Sequence, residues 1–262
     1  MANPWTRQLV AAELIACEDE RRDREPFTDE WTDMTLADAY AIQDANLDVR
    51  LGRGETLTGV KLGLTSRAKQ QTMGVSQPLV AWLTDAMVLA SGVPVSASRF
   101  IHPRVEPEIV FVMGADLAGP GVSCATAMAA VDWVTAGVEV IDSRYRNFRF
   151  RAADVVADNA SSAGYVTGGI QLRPDRLDMS GEPVSVEVDG VIVDSATGAA
   201  ILGHPGEALA LAANQLAERG QTIKAGQIIL TGGITNAYHV PNGAQVAFHF
   251  GHLGSIYMRG GE

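Results

Sequence analysis

The chain is short of cationic side chains and of cysteine. Its 262 residues carry 20 Lys and Arg against 31 Asp and Glu, a formal net charge of −11. No Lys/Arg cluster reaches the density of a surface that tracks phosphates, which argues against nucleic-acid binding. The two cysteines, Cys17 and Cys124, share no metal-ligand spacing. Free thiols in a reducing cytosol are therefore expected. No apolar run approaches membrane-spanning length, and the opening "MANPWTRQLVAAELIACEDERR" breaks into charge too early for a secretory leader. A soluble cytoplasmic protein with no membrane partner is the expectation. A nucleophile elbow, a Walker loop and a dinucleotide fingerprint are all missing. The glycine-rich "TGGIT" at 231–235 lacks a phosphate-binding context.

What is present reads as an ordinary globular chain, with 47% hydrophobic and 19% charged residues. The first part is helical in texture. Val10, Leu14 and Cys17 fall on one face of an amphipathic helix. Thr35 and Asp38 resemble a capping box, followed by a stripe of Leu36, Tyr40, Gln43 and Leu47. From about Leu57 the period changes to that of strands. "TGVKLGLT" sets Val60, Leu62 and Leu64 against Gly59, Lys61 and Gly63. "RVEPEIVFVM", "GVEVIDS", "YVTGGIQL", "QIILTGGIT", "AQVAFHF" and "GSIYMRG" are further strands. "SVEVDGVIVD" is a hairpin whose Asp189-Gly190 suits a type I′ turn, and "GEALALAANQLAERG" is a helix ending at Gly220. Helices do not alternate regularly with strands. The class is α+β, with a helical region over 1–56 followed by a β-rich body over 57–262.

Several side chains could carry chemistry. On a strand Glu106 and Glu108 share one face, while Val105, Pro107 and Ile109 take the other. Pro107 cannot donate to a ladder, so the strand is at an edge or interrupted there. Glu139 lies in another apolar run. Three carboxylates directed at one point would suit Mg²⁺ or Mn²⁺; glutamates facing water on half-exposed strands are the commoner reading of that spacing. Lys61, between two glycines on its face, is either a ligand-facing ammonium or a snorkelling surface lysine. The cluster Asp158, Asn159, Ser161 and Ser162 is either a local turn or a pocket wall. One of Arg144, Arg146, Arg149 and Arg151 could hold a substrate carboxylate, although most such arginines sit on surfaces. The pair His249 and His252 is a weak metal pattern, better read as flanking a turn.

Taken in order, "GVKLGLTSRAKQQTMGV", "HPRVEPEIVFV", "GVEVIDSRYRNFRF", "ADNASSAGYVTGG", "ILGHP" and "ILTGGIT" resemble the hydratase/decarboxylase branch of the fumarylacetoacetate hydrolase superfamily. The resemblance runs from about residue 35 to the C-terminus. It implies a mixed, β-roll-like body behind N-terminal helices, and a divalent metal (Mg²⁺ or Mn²⁺) on Glu106, Glu108 and Glu139. It further implies catalytic roles for Lys61, Asp85 and Ser162, with Leu64, Arg144, Asn159, Ser161, Thr231 and Gly232 near the substrate. Two activities are implied for a chain of this branch. One is decarboxylation of 2-oxo-3-hexenedioate, a small dicarboxylate 2-oxo acid; the other is hydration of 2-hydroxypenta-2,4-dienoate. Hydratases of the branch carry a D-x-R-I-x-x-W run and a P-G-S, whereas "DSRYRNFRF" and "TGGIT" are similar to the decarboxylase versions. A homo-oligomer and a complex with a hydratase subunit are also implied, and a non-catalytic homologue that stabilises a partner is a third reading.

Overall fold

Strands of unequal length build two sheets, and the most extensive ladder carries the acidic residues. The computed structural model describes residues 4–66, 70–71, 73–92, 94–96 and 98–261, so part of the "TSRAKQQT" block lies outside the described residues. Helices α1 (Arg7–Glu20) and α2 (Leu36–Gly52) come first. The strands β1 (Leu57–Gly63), β2 (Leu79–Thr84), β4 (Arg104–Met113), β5 (Val131–Ile141), β6 (Ser162–Leu172) and β9 (Ile228–Leu230) form the larger sheet in the order β2-β1-β9-β4-β5-β6. The short β10 (Tyr238–His239) also pairs with β4. The second sheet runs β3 (Val95–Ser96), β12 (Gly254–Gly261), β11 (Gln245–Phe250), β7 (Pro183–Val188), β8 (Val191–Thr197). Helices α3 (Cys124–Ala129), α4 (Ala152–Ala157) and α5 (Pro205–Glu218) complete the fold. The α+β class, with helices first and sheets after, is what the residue pattern predicts.

Apolar faces of both sheets and of α5 meet in one hydrophobic cluster that includes Ile109, Val138, Leu209 and Phe248. A second cluster ties α1 and α2 to the body through Phe27, Leu79, Tyr145 and Val156. Removing such side chains from water contributes about 1.5–3 kcal/mol each. Local signals translate directly. Thr35 and Asp38 form the capping box of α2, Asp189 and Gly190 turn β7 into β8 with φ of 48° and 85°, and Gly220 follows α5 at φ 69°. No described helix is long and apolar enough to cross a membrane. Cys17 and Cys124 are both free thiols.

Two expectations fail for identifiable reasons. The buried stripe of α2 is Ala39, Ile42, Gln43, Asn46 and Arg50 rather than Leu36, Tyr40, Gln43 and Leu47. Amide side chains take inward positions because they meet backbone carbonyls: Gln43 donates to Val80 and Val156, and Asn46 to Ala157. "QIILTGGIT" is a strand only to Leu230, after which the chain leaves the ladder. His249 and His252 take structural partners: His249 meets Ser255 and Glu187, and His252 meets Glu182.

Candidate metal centre

The β4–β5 register decides the geometry. Glu106 stands opposite Glu139 and Glu108 opposite Gly137, so all three carboxylates project from one face. Each offers an oxygen within 4.8 Å of the others. Glu108 and Glu139 are fully buried, and Glu106 is half-buried. Pro107 marks a gap in the sheet. On its β5 side β4 is paired throughout, but on the other side β9 reaches only Val110–Val112 and β10 only Arg104 and Val105.

The loop 231–234 closes that gap. Thr231 N–H and Ile234 N–H donate to the carbonyls of Ile109 and Pro107 at 3.3 and 3.0 Å. The same loop shapes the acidic cluster. Gly232 N–H donates to Glu108 Oε2 at 2.7 Å. A Cβ on Gly232 would stand 2.1 Å from Thr65 Oγ1, and one on Gly233 would stand 2.5 Å from Glu106 Oε2.

Lys61 arrives from β1. Its Nζ lies 3.0 Å from Glu139 Oε2 and donates to the Ala160 carbonyl at 3.0 Å. Ser162 Oγ donates to Glu139 Oε1 at 2.9 Å. The Ala160 carbonyl is presented by three consecutive left-handed residues, Asn159, Ala160 and Ser161, with φ of 50°, 49° and 58°. Such conformations cost of order 1–3 kcal/mol each and persist only where the surroundings fix them. Asn159 supplies the fixing contact, bonding the backbone N–H and carbonyl of Trp82 at 2.9 Å each. Gly59 leaves no space for a ligand beside Lys61, because the β9 backbone at Ile228 occupies the room its missing side chain vacates.

The charges are coupled. Burial first, and then Glu139, pushes Glu108 well above the usual carboxylate range. Burial likewise raises Glu139, against the opposing field of Lys61. Burial disfavours the charge on Lys61, but Glu139, Glu108 and Glu106 together outweigh it and hold the ammonium charged. Glu108 Oε1 is buried and has no hydrogen-bond partner among the described residues. An orphaned carboxylate oxygen in an all-oxygen donor set fits a hard divalent cation such as Mg²⁺ or Mn²⁺.

A cavity of about 490 Å³ opens beside this cluster. Lys61, Glu106, Leu64 and Ser161 line it, together with Arg104 and Phe148. The other expected residues are not among those that line it. Ser162 is buried on Glu139. Thr231 Oγ1 donates to the Ile109 carbonyl at 2.7 Å, so Thr231 and Gly232 act on β4 and Glu108. Arg144 is buried with its guanidinium on Asp158 and the Asp142 carbonyl. Asp85 is exposed at the far end of β2 from Leu79 and accepts from Thr56 N–H at 2.9 Å. The residue pattern gave no prominence to Arg104, Phe148, Gly233 or Asn236. Of these, Arg104 alone had a usable signal, since it shares the alternation that places Glu106 and Glu108.

The profile described as "Fumarylacetoacetate (FAA) hydrolase C-terminal" matches residues 56–259. The chain belongs to the fumarylacetoacetate hydrolase family. Within that family it is 44% identical over 252 residues to a 4-oxalocrotonate decarboxylase of Pseudomonas putida, covering 96% of each chain. It is 40% identical over 210 residues to a 2-hydroxypent-2,4-dienoate hydratase of Pseudomonas putida, covering 79% of this chain and 94% of the other. Among solved structures, 4-oxalocrotonate decarboxylase from Pseudomonas putida G7, complexed with magnesium and adipate, superposes with a TM-score of 0.94 at 41% identity. That match covers 97% of this chain and 96% of the other.

Proposed function

We infer that the protein is a metal-dependent carboxy-lyase that converts 2-oxo-3-hexenedioate (4-oxalocrotonate) to 2-hydroxypenta-2,4-dienoate and CO₂ in aromatic meta-cleavage catabolism. One observation carries the reading: a buried three-glutamate cluster with Lys61 heads a cavity in a chain 44% identical to a decarboxylase of that substrate. The chemistry is coherent with it. When the C5–C6 bond breaks, its electron pair forms C4=C5. The C3=C4 pair moves to C2–C3, and charge arrives on the C2 oxygen. Glu106, Glu108 and Glu139 would hold Mg²⁺ or Mn²⁺, and the cation would supply Lewis-acid stabilisation of that charge. Lys61 holds a proton on the cavity wall and is the group assigned to deliver one to the dienolate oxygen, which balances the reaction. Ser162 fixes the orientation of Glu139, and the Asn159–Ser161 turn fixes Lys61 through the Ala160 carbonyl. Leu64 and Ser161 form part of the substrate wall. Arg144, through Asp158, holds the 158–162 loop in place.

The hydratase relatives favour a second reading, in which the same cavity hydrates 2-hydroxypenta-2,4-dienoate. They also support a partner, since a hydratase of that dienoate consumes what this decarboxylation would release. Association with such a subunit, and a homo-oligomeric state, belong to the same proposal. So do work in the cytoplasm, supported by the free thiols, and the division into helices over 1–56 and a catalytic body over 57–262. Incubation of the purified protein with 2-oxo-3-hexenedioate and Mg²⁺ should release CO₂, and Glu106→Gln should abolish it with the far-UV spectrum unchanged. Hydration without CO₂ release would transfer the assignment to the second reading. Absence of calorimetric metal binding would favour a non-catalytic, partner-stabilising role.

A further inference from the structure

The decarboxylase reading leaves open what recognises the far end of a dicarboxylate. Along β4 the residues Arg104, Glu106 and Glu108 share a face, and exposure grows in one direction: Glu108 is buried, Glu106 half-buried and Arg104 exposed. Arg104 and Glu106 both line the cavity. We propose that Arg104 is the specificity-determining anchor for the distal carboxylate of a six-carbon dicarboxylate 2-oxo acid, a role that rests on the decarboxylase reading for its natural ligand.

The lengths agree. Two residues of strand span about 6.7 Å. An extended chain advances roughly 1.2 Å per bond, so the five C–C bonds of a six-carbon diacid separate its carboxyl carbons by about 6 Å. A 2-oxo acid end held at Glu106 therefore sets the other carboxylate beside Arg104. Among the described residues, the other candidate cations are occupied or, like Arg151, do not line the cavity. Lys61 is committed to Glu139 and Ala160, and Arg144 to Asp158. Arg146 pairs with Asp23 and Glu25, and Arg149 with Glu25 and Asp29. The Arg104 guanidinium has no ion pair or hydrogen bond among the described residues. Its guanidinium lies 4.2 Å from the centroid of the Phe148 ring. The ring fixes the plane of the fork and leaves its N–H edge for a carboxylate.

Exposure of Arg104 also suits the reaction. The distal carboxylate loses its charge as CO₂ departs, so a cation that gripped it strongly would stabilise substrate more than transition state. A water-screened arginine selects the dianion while deepening that well only modestly. Its contribution accordingly falls on KM.

The test uses two ligands with the same 2-oxo acid head, 2-oxoadipate and 2-oxohexanoate, titrated calorimetrically into Mg²⁺-loaded wild type, Arg104→Gln and Arg104→Lys. Wild type should prefer the diacid by roughly tenfold. Arg104→Gln should lose that preference with the affinity for 2-oxohexanoate unchanged, and Arg104→Lys should restore part of it. In turnover, KM for 2-oxo-3-hexenedioate should rise about tenfold in Arg104→Gln with kcat within twofold of wild type. A diacid preference that survives in Arg104→Gln would overturn the proposal, as would equal loss of affinity for both ligands. If wild type releases no CO₂ while the preference still follows Arg104, the decarboxylase reading falls and the anchor is supported.

Discussion

Adding one methyl group at Gly233 puts a Cβ 2.5 Å from Glu106 Oε2, 2.9 Å from its Cδ and 3.3 Å from its Cβ. Ordinary carbon contacts begin near 3.5 Å, so the carboxylate must retreat by roughly 1 Å. The fold can absorb this. Glu106 is half-buried with rotamers available, and Gly233 does not occupy the left-handed region. A Gly→Ala change at such a position restricts the unfolded chain and favours folding by about 0.4–1 kcal/mol. A metal centre cannot absorb it, because ligand distances hold to within about 0.2 Å. Gly233→Ala should therefore keep or slightly raise the metal-free Tm while weakening Mg²⁺ binding by roughly 10- to 100-fold. Calorimetric titration with Mg²⁺, alongside thermal melts, measures both. Wild-type Mg²⁺ affinity in this variant would refute the assignment of Glu106 as a ligand. Gly232→Ala is the control with the opposite signature. Its φ of 110° and a Cβ 2.1 Å from Thr65 Oγ1 strain the backbone itself, so Tm falls as well.

Arg144→Met should destabilise the fold by about 3–5 kcal/mol in urea denaturation, because it strands the buried Asp158 carboxylate without its partner. A loss under about 1 kcal/mol would mean that the ion pair does not hold the 158–162 loop. Metal binding should release protons and tighten as pH rises, since Glu108 and Glu139 have raised pKa values and must ionise to act as ligands. The sign for stability follows from linkage. Carboxyls with raised folded pKa values favour the metal-free fold fully below about pH 4.3, and that contribution is lost as pH climbs through the folded values. The Tm gain from Mg²⁺ should thus be larger at pH 8 than at pH 5.5, and equal gains would contradict the coupling.

The residue pattern made the acidic cluster visible in part and the cavity hardly at all. Alternation alone places Glu106 and Glu108 on one face, and Pro107 announces a break in the ladder. The partner of that face is fixed by the β4–β5 register, which pairs Glu106 with Glu139. No local rule encodes that pairing. The buried stripe of α2 departs from the hydrophobic pattern because hydrophobicity cannot foresee that Gln43 and Asn46 find buried carbonyls at Val80, Val156 and Ala157. Gly59 and Gly63 looked like room for a ligand; at Gly59 the room belongs to the backbone of β9. Arginine count drew attention to 144–151, whereas pairing in space occupies Arg144, Arg146 and Arg149 and leaves Arg104 facing the cavity. Composition ranks residues by type, but availability depends on partners that only the fold supplies.

Charge explains why three glutamates and one lysine occur together. Ionised carboxylates whose oxygens lie within 4.8 Å of one another repel by roughly 3.5 kcal/mol or more at the effective dielectric of about 20 that suits buried sites. Ionised together, the fully buried Glu108 and Glu139 carry one more negative charge than the ammonium of Lys61 beside them offsets. Without a cation the protein must hold protons there, which is the sense of the raised Glu108 and Glu139 values. A bound cation would offset that excess, so that Glu108 and Glu139 can ionise while Lys61 stays charged. Replacing Lys61 with a neutral residue would leave the buried pair with one more uncompensated negative charge. Lys61 thus also lessens the negative charge that an ion held there must offset.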